Sequence, residues 1–194
     1  MANIDRPRGF APAKSLIGGN WDHLIRFFPA ANRSADTGNN HGDIYIGDPV
    51  TLVNGAVQTA NSGDTILGVA VAIGNGGGIT HGEPGYFNPD NLTQRYAPLA
   101  DTTDVVIGVV PAELALFEVQ SDSDLDLAQG GSADITTDAG EAHGNQITGF
   151  STAEITTAVN NDVRVVELQT APDNDPADAN ARYLVQFTTT AFTL

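Results

Sequence analysis

The chain has 194 residues and no cysteine, and its eight Lys and Arg against 24 Asp and Glu leave a net charge of −16. That length suffices for one large domain or two small ones, burying roughly 70% of the unfolded surface without covalent staples. The missing cysteine excludes disulfides, thiol catalysis and Cys-ligated zinc, and the acidity argues against nucleic-acid binding by the bulk of the chain.

Residues 1–40 read as an extended N-terminal arm and residues 41–194 as the body. Pro7, Pro12 and Pro29 break any helix in the arm, and Gly18-Gly19 allows a bend. Positions 1–33 hold Arg6, Arg8, Lys14, Arg26 and Arg33 against Asp5 and Asp22, a balance of +3. The other 161 residues hold Arg95, Arg164 and Arg182 against 22 acids, a balance of −19. A basic arm on an acidic body implies two surfaces that face two environments. Trp21, Phe27 and Phe28 are the rings that would anchor the arm by being buried. The opening residues lack the apolar h-region of a secretory signal. Runs such as 66–73 fall far short of the roughly 20 apolar residues that span a bilayer. The expectation is synthesis in a cytoplasm and no membrane partner.

From position 43 the pattern changes to short apolar segments divided by turn residues. Strands are expected at 44–46, 50–53 and 56–58, with Asn54-Gly55 as the strongest hairpin signal. The next strand, 65–73, is apolar on both faces and therefore central. Residues 74–94 are rich in Gly, Asn and Pro and read as a long loop. Strands resume at 95–99, 105–110, 114–120, 146–150, 163–169 and 182–190, with a polar loop at 171–180. Residues 64–71 align without gaps on 104–111. That echo marks either two equivalent strands of a barrel or, more plainly, two buried strands of similar composition. The fold class is all-β, a barrel or sandwich of short antiparallel strands.

No motif for chemistry survives inspection. Asp122, Asp124 and Asp126 have the spacing of calcium ligands, but Leu127 replaces the required Gly and Ser132 the closing Glu, which leaves an exposed acidic turn. The stretch 74–78 follows a strand but lacks both the dinucleotide fingerprint and the Gly-Lys-Ser/Thr of a phosphate loop. His23, His41, His81 and His143 are dispersed, with no pair spaced to share one face of an element. A Gly-x-Ser-x-Gly elbow is absent, and nothing singles out two carboxylates for glycoside hydrolysis. The reading is therefore no enzyme, no cofactor and no metal.

Met1-Ala2-Asn3-Ile4-Asp5-Arg6-Pro7-Arg8-Gly9-Phe10 and Gly18-Gly19-Asn20-Trp21 are similar to the N-terminus of the head decoration (cement) proteins of tailed bacteriophages. Gly47-Asp48-Pro49-Val50 and Gly63-Asp64-Thr65-Ile66-Leu67-Gly68-Val69 are similar to a shared barrel segment. Ala115-Leu116-Phe117-Glu118-Val119-Gln120 looks like a central strand. The closing hairpin is resembled by 163–168, Ala171-Pro172-Asp173-Asn174-Asp175, Asn180-Ala181 and Tyr183-Leu184-Val185. Residues 74–94 depart from that pattern.

The resemblance implies a β-rich homotrimer bound to the major capsid protein outside the shell, at its three-fold positions, and brings no catalytic or cofactor residues. Arg6, Arg8, Trp21, Arg26, Phe27 and Phe28 would then contact the capsid or a neighbouring subunit, because Arg pairs bidentately with carboxylates. An acidic outer face would keep particles apart. The arm would be free until it meets the shell, or else packed back on its own acidic body. A carbohydrate-binding or adhesive β-module is the alternative. It needs an aromatic platform, whereas Tyr45, Tyr86, Phe87, Tyr96, Phe117, Phe150, Tyr183, Phe187 and Phe192 are mostly expected in the core.

Overall fold

The structure, a computed structural model, describes residues 3–30, 42–75, 95–98, 105–136, 144–168 and 172–192. The Val-, Ile- and Thr-rich segments form strands, as their shape suits a pleated, half-buried surface. In chain order these are β1 (Ala11–Ser15), β2 (Arg26–Pro29), β3 (Pro49–Val53), β4 (Ala56–Thr59), β5 (Gly68–Asn75), β6 (Val105–Pro111), β7 (Ala115–Gln120), β8 (Ser132–Ile135), β9 (Ile155–Thr157), β10 (Val163–Leu168) and β11 (Arg182–Phe187). Among the described residues the only helices are the one-turn 3-10 segments Trp21–Leu24 and Ala112–Leu114.

The strands make two antiparallel sheets, β1-β7-β11-β10-β8-β9 and β2-β6-β5-β3-β4. They pack as a sandwich, not a closed barrel. A single bridge from Ala30 to Val57 curls the five-stranded sheet until the end of β2 meets β4, but one bridge is no ladder. The curl divides the core in two. Phe10, Leu24, Val69, Val110, Phe117, Val119, Tyr183, Val185 and Phe187 fill the space between the sheets. Val50, Val57, Leu67, Ala70, Ile107 and Val109 fill the hollow of the five-stranded sheet. Successive residues of β5 and β6 point into opposite clusters, so these two strands are buried on both faces. They are also hydrogen-bonded neighbours, and shared burial accounts for their echoing sequences. Between β3 and β4, Asn54 and Gly55 take φ of 52° and 83°, the double left-handed pair that a two-residue hairpin needs.

Three expected strands are corrected. Residues 44–46 and 95–98 make only isolated bridges at Ile44, Ile46 and Ala97. Residues 146–150 form a turn. The Asn145 side chain accepts the N–H groups of Ile147 and Thr148 at 2.8 and 3.2 Å, and Gly149 has φ of 77°. Asp122, Asp124 and Asp126 lie exposed along an extended segment whose Leu125 and Leu127 pack on the inter-sheet core. His41, His81, His143 and most of 74–94 lie outside the described residues.

The larger correction concerns the arm. Residues 3–30 are woven into both sheets: β1 pairs with β7 and β2 with β6. Phe10 is buried against Phe187, their ring centroids 5.2 Å apart. Burying Phe10 and Leu24 and forming two strand ladders outweighs the freedom that a mobile arm would keep, and the acidic body attracts this basic segment as well; residues 3–30 are therefore packed back as part of the body.

Candidate functional site

Inward-facing Phe117, Val119, Val163, Val165, Tyr183 and Val185 fix the alternation of the six-stranded sheet. The residues between them, Glu118 and Gln120 on β7, Arg164 on β10, and Arg182 and Gln186 on β11, stand on its outer face. Residues 3–8 cross one end of that face before entering β1. Asn3 fastens this crossing. Its Nδ2 donates to the carbonyls of Asp175 and Ala179 at 2.8 and 3.0 Å, and its Oδ1 accepts the Asp175 N–H at 2.8 Å. Gln120 adds a second tie, its Oε1 accepting the Arg6 N–H at 3.2 Å.

A groove of about 250 Å³ opens between this segment and the start of β11, lined by Arg6, Arg8 and Arg182, by Glu118 and Asp173, and by Asn3, Gln120 and Asn180. Arg8 pairs with Glu118 and Arg182 with Asp173, both at 2.8 Å. The Arg6 guanidinium is exposed and has no partner among the described residues. Farther along the same face Arg164 is likewise unpaired beside Gln186, Phe187 and Thr188. Lys14 on β1 reaches Glu167 on β10 at 3.0 Å. Five of the chain's eight Lys and Arg thus stand on or beside one sheet face, in a chain of net charge −16.

Asp5 of the crossing segment and Asp122 lie within electrostatic reach of Glu154. Burial first, then the nearby charges of Asp5 and Asp122, push the Glu154 carboxyl up to about 7. Its Oε1 is buried with no hydrogen-bond partner among the described residues. Elsewhere a buried carboxylate is fully served. Burial would raise Asp134, but the backbone N–H groups of Asn160, Val159, Asn161 and Asp162 outweigh it and hold this carboxyl below its ordinary value. Among the described residues no three His, Asp or Glu side chains converge as metal ligands would.

The six residues expected to make contacts are split. Arg6 and Arg8 share the groove. Trp21 is half-buried against the inter-sheet core. On β2 of the other sheet, Phe27 is 46% exposed, Phe28 packs into the second core, and the Arg26 Nη1 donates to the carbonyls of His23, Leu24 and Ile25 at 3.4, 3.3 and 3.1 Å. Arg182, Asn3 and Gln120 complete the groove but were not among them. Only the alternation of Tyr183, Val185 and Phe187 marks Arg182 as outward-facing.

No protein-family model and no curated protein matches the chain. Among solved structures it is similar to the C-terminal fragment of gene product 12 of bacteriophage phi29, at 16% identity over 85% of this chain and 99% of that fragment, with a TM-score of 0.33. A superposition that loose does not establish a common fold.

Proposed function

We propose that the protein is a non-enzymatic virion component that attaches to the outside of a tailed-phage capsid as a decoration or cement subunit. It binds the major capsid protein as a homotrimer and stabilises the shell. The observation that supports this most is the segregation of charge: Arg6, Arg8, Lys14, Arg164 and Arg182 gather on one sheet face of a strongly acidic chain. A subunit that must grip one surface and repel all others needs that asymmetry. The resemblance of residues 1–10, 18–21, 47–50, 63–69 and 115–120 to cement proteins points the same way.

Among the described residues the adhesive alternative finds no aromatic platform. Tyr45, Phe117, Tyr183 and Phe187 are buried, and the exposed Phe27, Phe150 and Phe192 belong to three separate segments. Co-sedimentation with purified capsids, with and without salt, tests the proposal. Saturable binding that weakens as salt approaches 1 M, where the Debye length is about 3 Å, is expected. Absence of binding at any ionic strength would overturn it.

A further inference from the structure

We infer that the groove beside residues 3–8 is a carboxylate-docking site, in which Arg6 pairs with an Asp or Glu side chain presented by a protein partner. This rests on the attachment reading for the partner's identity. The chemistry follows from the groove itself. Three guanidinium groups line it, and two are already engaged, Arg8 by Glu118 and Arg182 by Asp173. Those pairs leave Arg6 as the groove cation without a partner among the described residues. Asn3 ties the backbone ahead of Arg6 and Gln120 accepts the N–H of Arg6 itself, so little backbone freedom is lost when it binds.

Size and charge narrow the occupant. A volume of about 250 Å³ admits a side chain or two, and lies below the range of roughly 300 Å³ upward in which small-molecule sites fall. The net charge of −16 repels a polyanion from afar, whereas one carboxylate approaching within the screening length of roughly 8–10 Å feels the arginines above all. Glu118 and Asp173 at the rim oppose a doubly charged phosphate more than a singly charged carboxylate. A planar carboxylate also matches the two-pronged guanidinium donor.

The test compares the full chain with Arg6→Glu, Arg6→Gln and Arg164→Glu, the last changing charge equally on the same sheet face but outside the groove. Circular dichroism checks that each is folded; both positions are exposed. The probes are capsids and a short acetylated and amidated peptide with a single Asp among neutral residues, its binding followed by amide NMR shifts. Arg6→Glu should weaken both interactions by about tenfold or more, Arg6→Gln by less, and Arg164→Glu little. The peptide should shift the amides of residues 3–8 and 180–182.

Equal loss in Arg6→Glu and Arg164→Glu would overturn the groove in favour of diffuse charge. So would undiminished peptide binding by Arg6→Glu, or tighter binding of inorganic phosphate than of the peptide. If the unaltered chain ignores capsids yet binds the peptide through Arg6, the docking chemistry stands and the attachment reading falls. Capsid binding indifferent to Arg6 would give the reverse.

Discussion

Lys14 and Glu167 meet at 3.0 Å although β7 and β11 lie between the strands that carry them. With strands about 4.8 Å apart, three steps across a flat sheet cover roughly 14 Å; the outer face must curl for these side chains to meet. Lys14 is registered opposite Leu116 and Glu167 opposite Leu184, so the pair closes over these two outward-facing leucines. This explains why both are buried, since a Lys stem covers apolar surface while its charge stays in water.

The Lys14 stem should therefore matter more than its charge. Lys14→Met is expected to cost less than about 1 kcal/mol, the usual value of an exposed ion pair. Lys14→Asp, which uncovers the leucines and faces Glu167 with a like charge, should cost clearly more. Urea midpoints at constant m-value decide this; equal losses in the two variants would mean that the charge alone counts.

Asp162 joins the two sheets. Its carboxylate accepts the Ser62 hydroxyl at 2.7 Å and the Gly63 N–H at 2.8 Å from the turn after β4, and the Ile135 N–H at 3.1 Å from β8. Asp162→Ala strands the buried Ile135 N–H and two part-buried donors and should destabilise the fold by about 2–3 kcal/mol. Asp162→Asn, which retains one acceptor oxygen, should lose less. A thermal melt unchanged by Asp162→Ala would show that water replaces the carboxylate without cost.

Gly68 faces the Val110 carbonyl so closely that a Cβ would lie 2.2 Å from its oxygen. The obstacle is backbone in a central ladder, unable to swing aside. Gly68→Ala should cost about 3 kcal/mol or more, while Ala at Gly130, where the Cβ meets nothing but φ is 86°, costs only backbone strain of about 1 kcal/mol.

Stability should fall as pH rises from about 4.5 to about 7. Glu154 titrates near 4.5 when unfolded and at about 7 in the fold. Over that interval the folded state holds a proton that the unfolded chain lacks, and above it the contribution is gone. Asp134, lowered from 3.8, acts oppositely and only at more acid pH, so the two windows separate. Glu154→Gln should flatten the slope and raise stability at pH 8 by on the order of 1 kcal/mol after allowance for solvent screening. Denaturant melts at several pH values check this; a slope that persists in Glu154→Gln would assign it elsewhere.

What the sequence revealed follows the range of the forces involved. The Asn54-Gly55 turn is decided within four residues, and the two-sided burial of β5 and β6 within eight, so both were legible. The turn at 145–149 was hidden because Ile147 and Phe150 mimic a strand while the Asn145 side chain takes over the local N–H groups. β1 and β2 were hidden by Pro12 and Pro29, which read as breakers. Both strands lie at sheet edges, where a missing N–H costs nothing. The groove was half visible: Arg6 and Arg8 stood out by charge, but Arg182 joins them only through pairing of β7 with β11, which no local pattern encodes.

That edge placement decides what truncation does. A free arm could be removed without harm, and deletion of residues 1–33 would then test attachment alone. The fold instead takes β1, β2, Phe10 and Leu24 from this segment, stripping one ladder from each sheet and two large side chains from the inter-sheet core. Losing Phe10 alone should cost about 3–5 kcal/mol, a large share of the 5–15 kcal/mol that holds a typical domain together. The truncated chain is expected to lose its cooperative melt and to bind nothing for that reason. Phe10→Leu separates packing from attachment, because it weakens the fold while leaving Arg6 and Arg8 in place. It should lower the melting temperature and still sediment with capsids at temperatures where it is folded. If the 1–33 deletion instead melts cooperatively and has lost only its capsid affinity, the segment is a detachable arm whose pairing with β7 and β6 is dispensable.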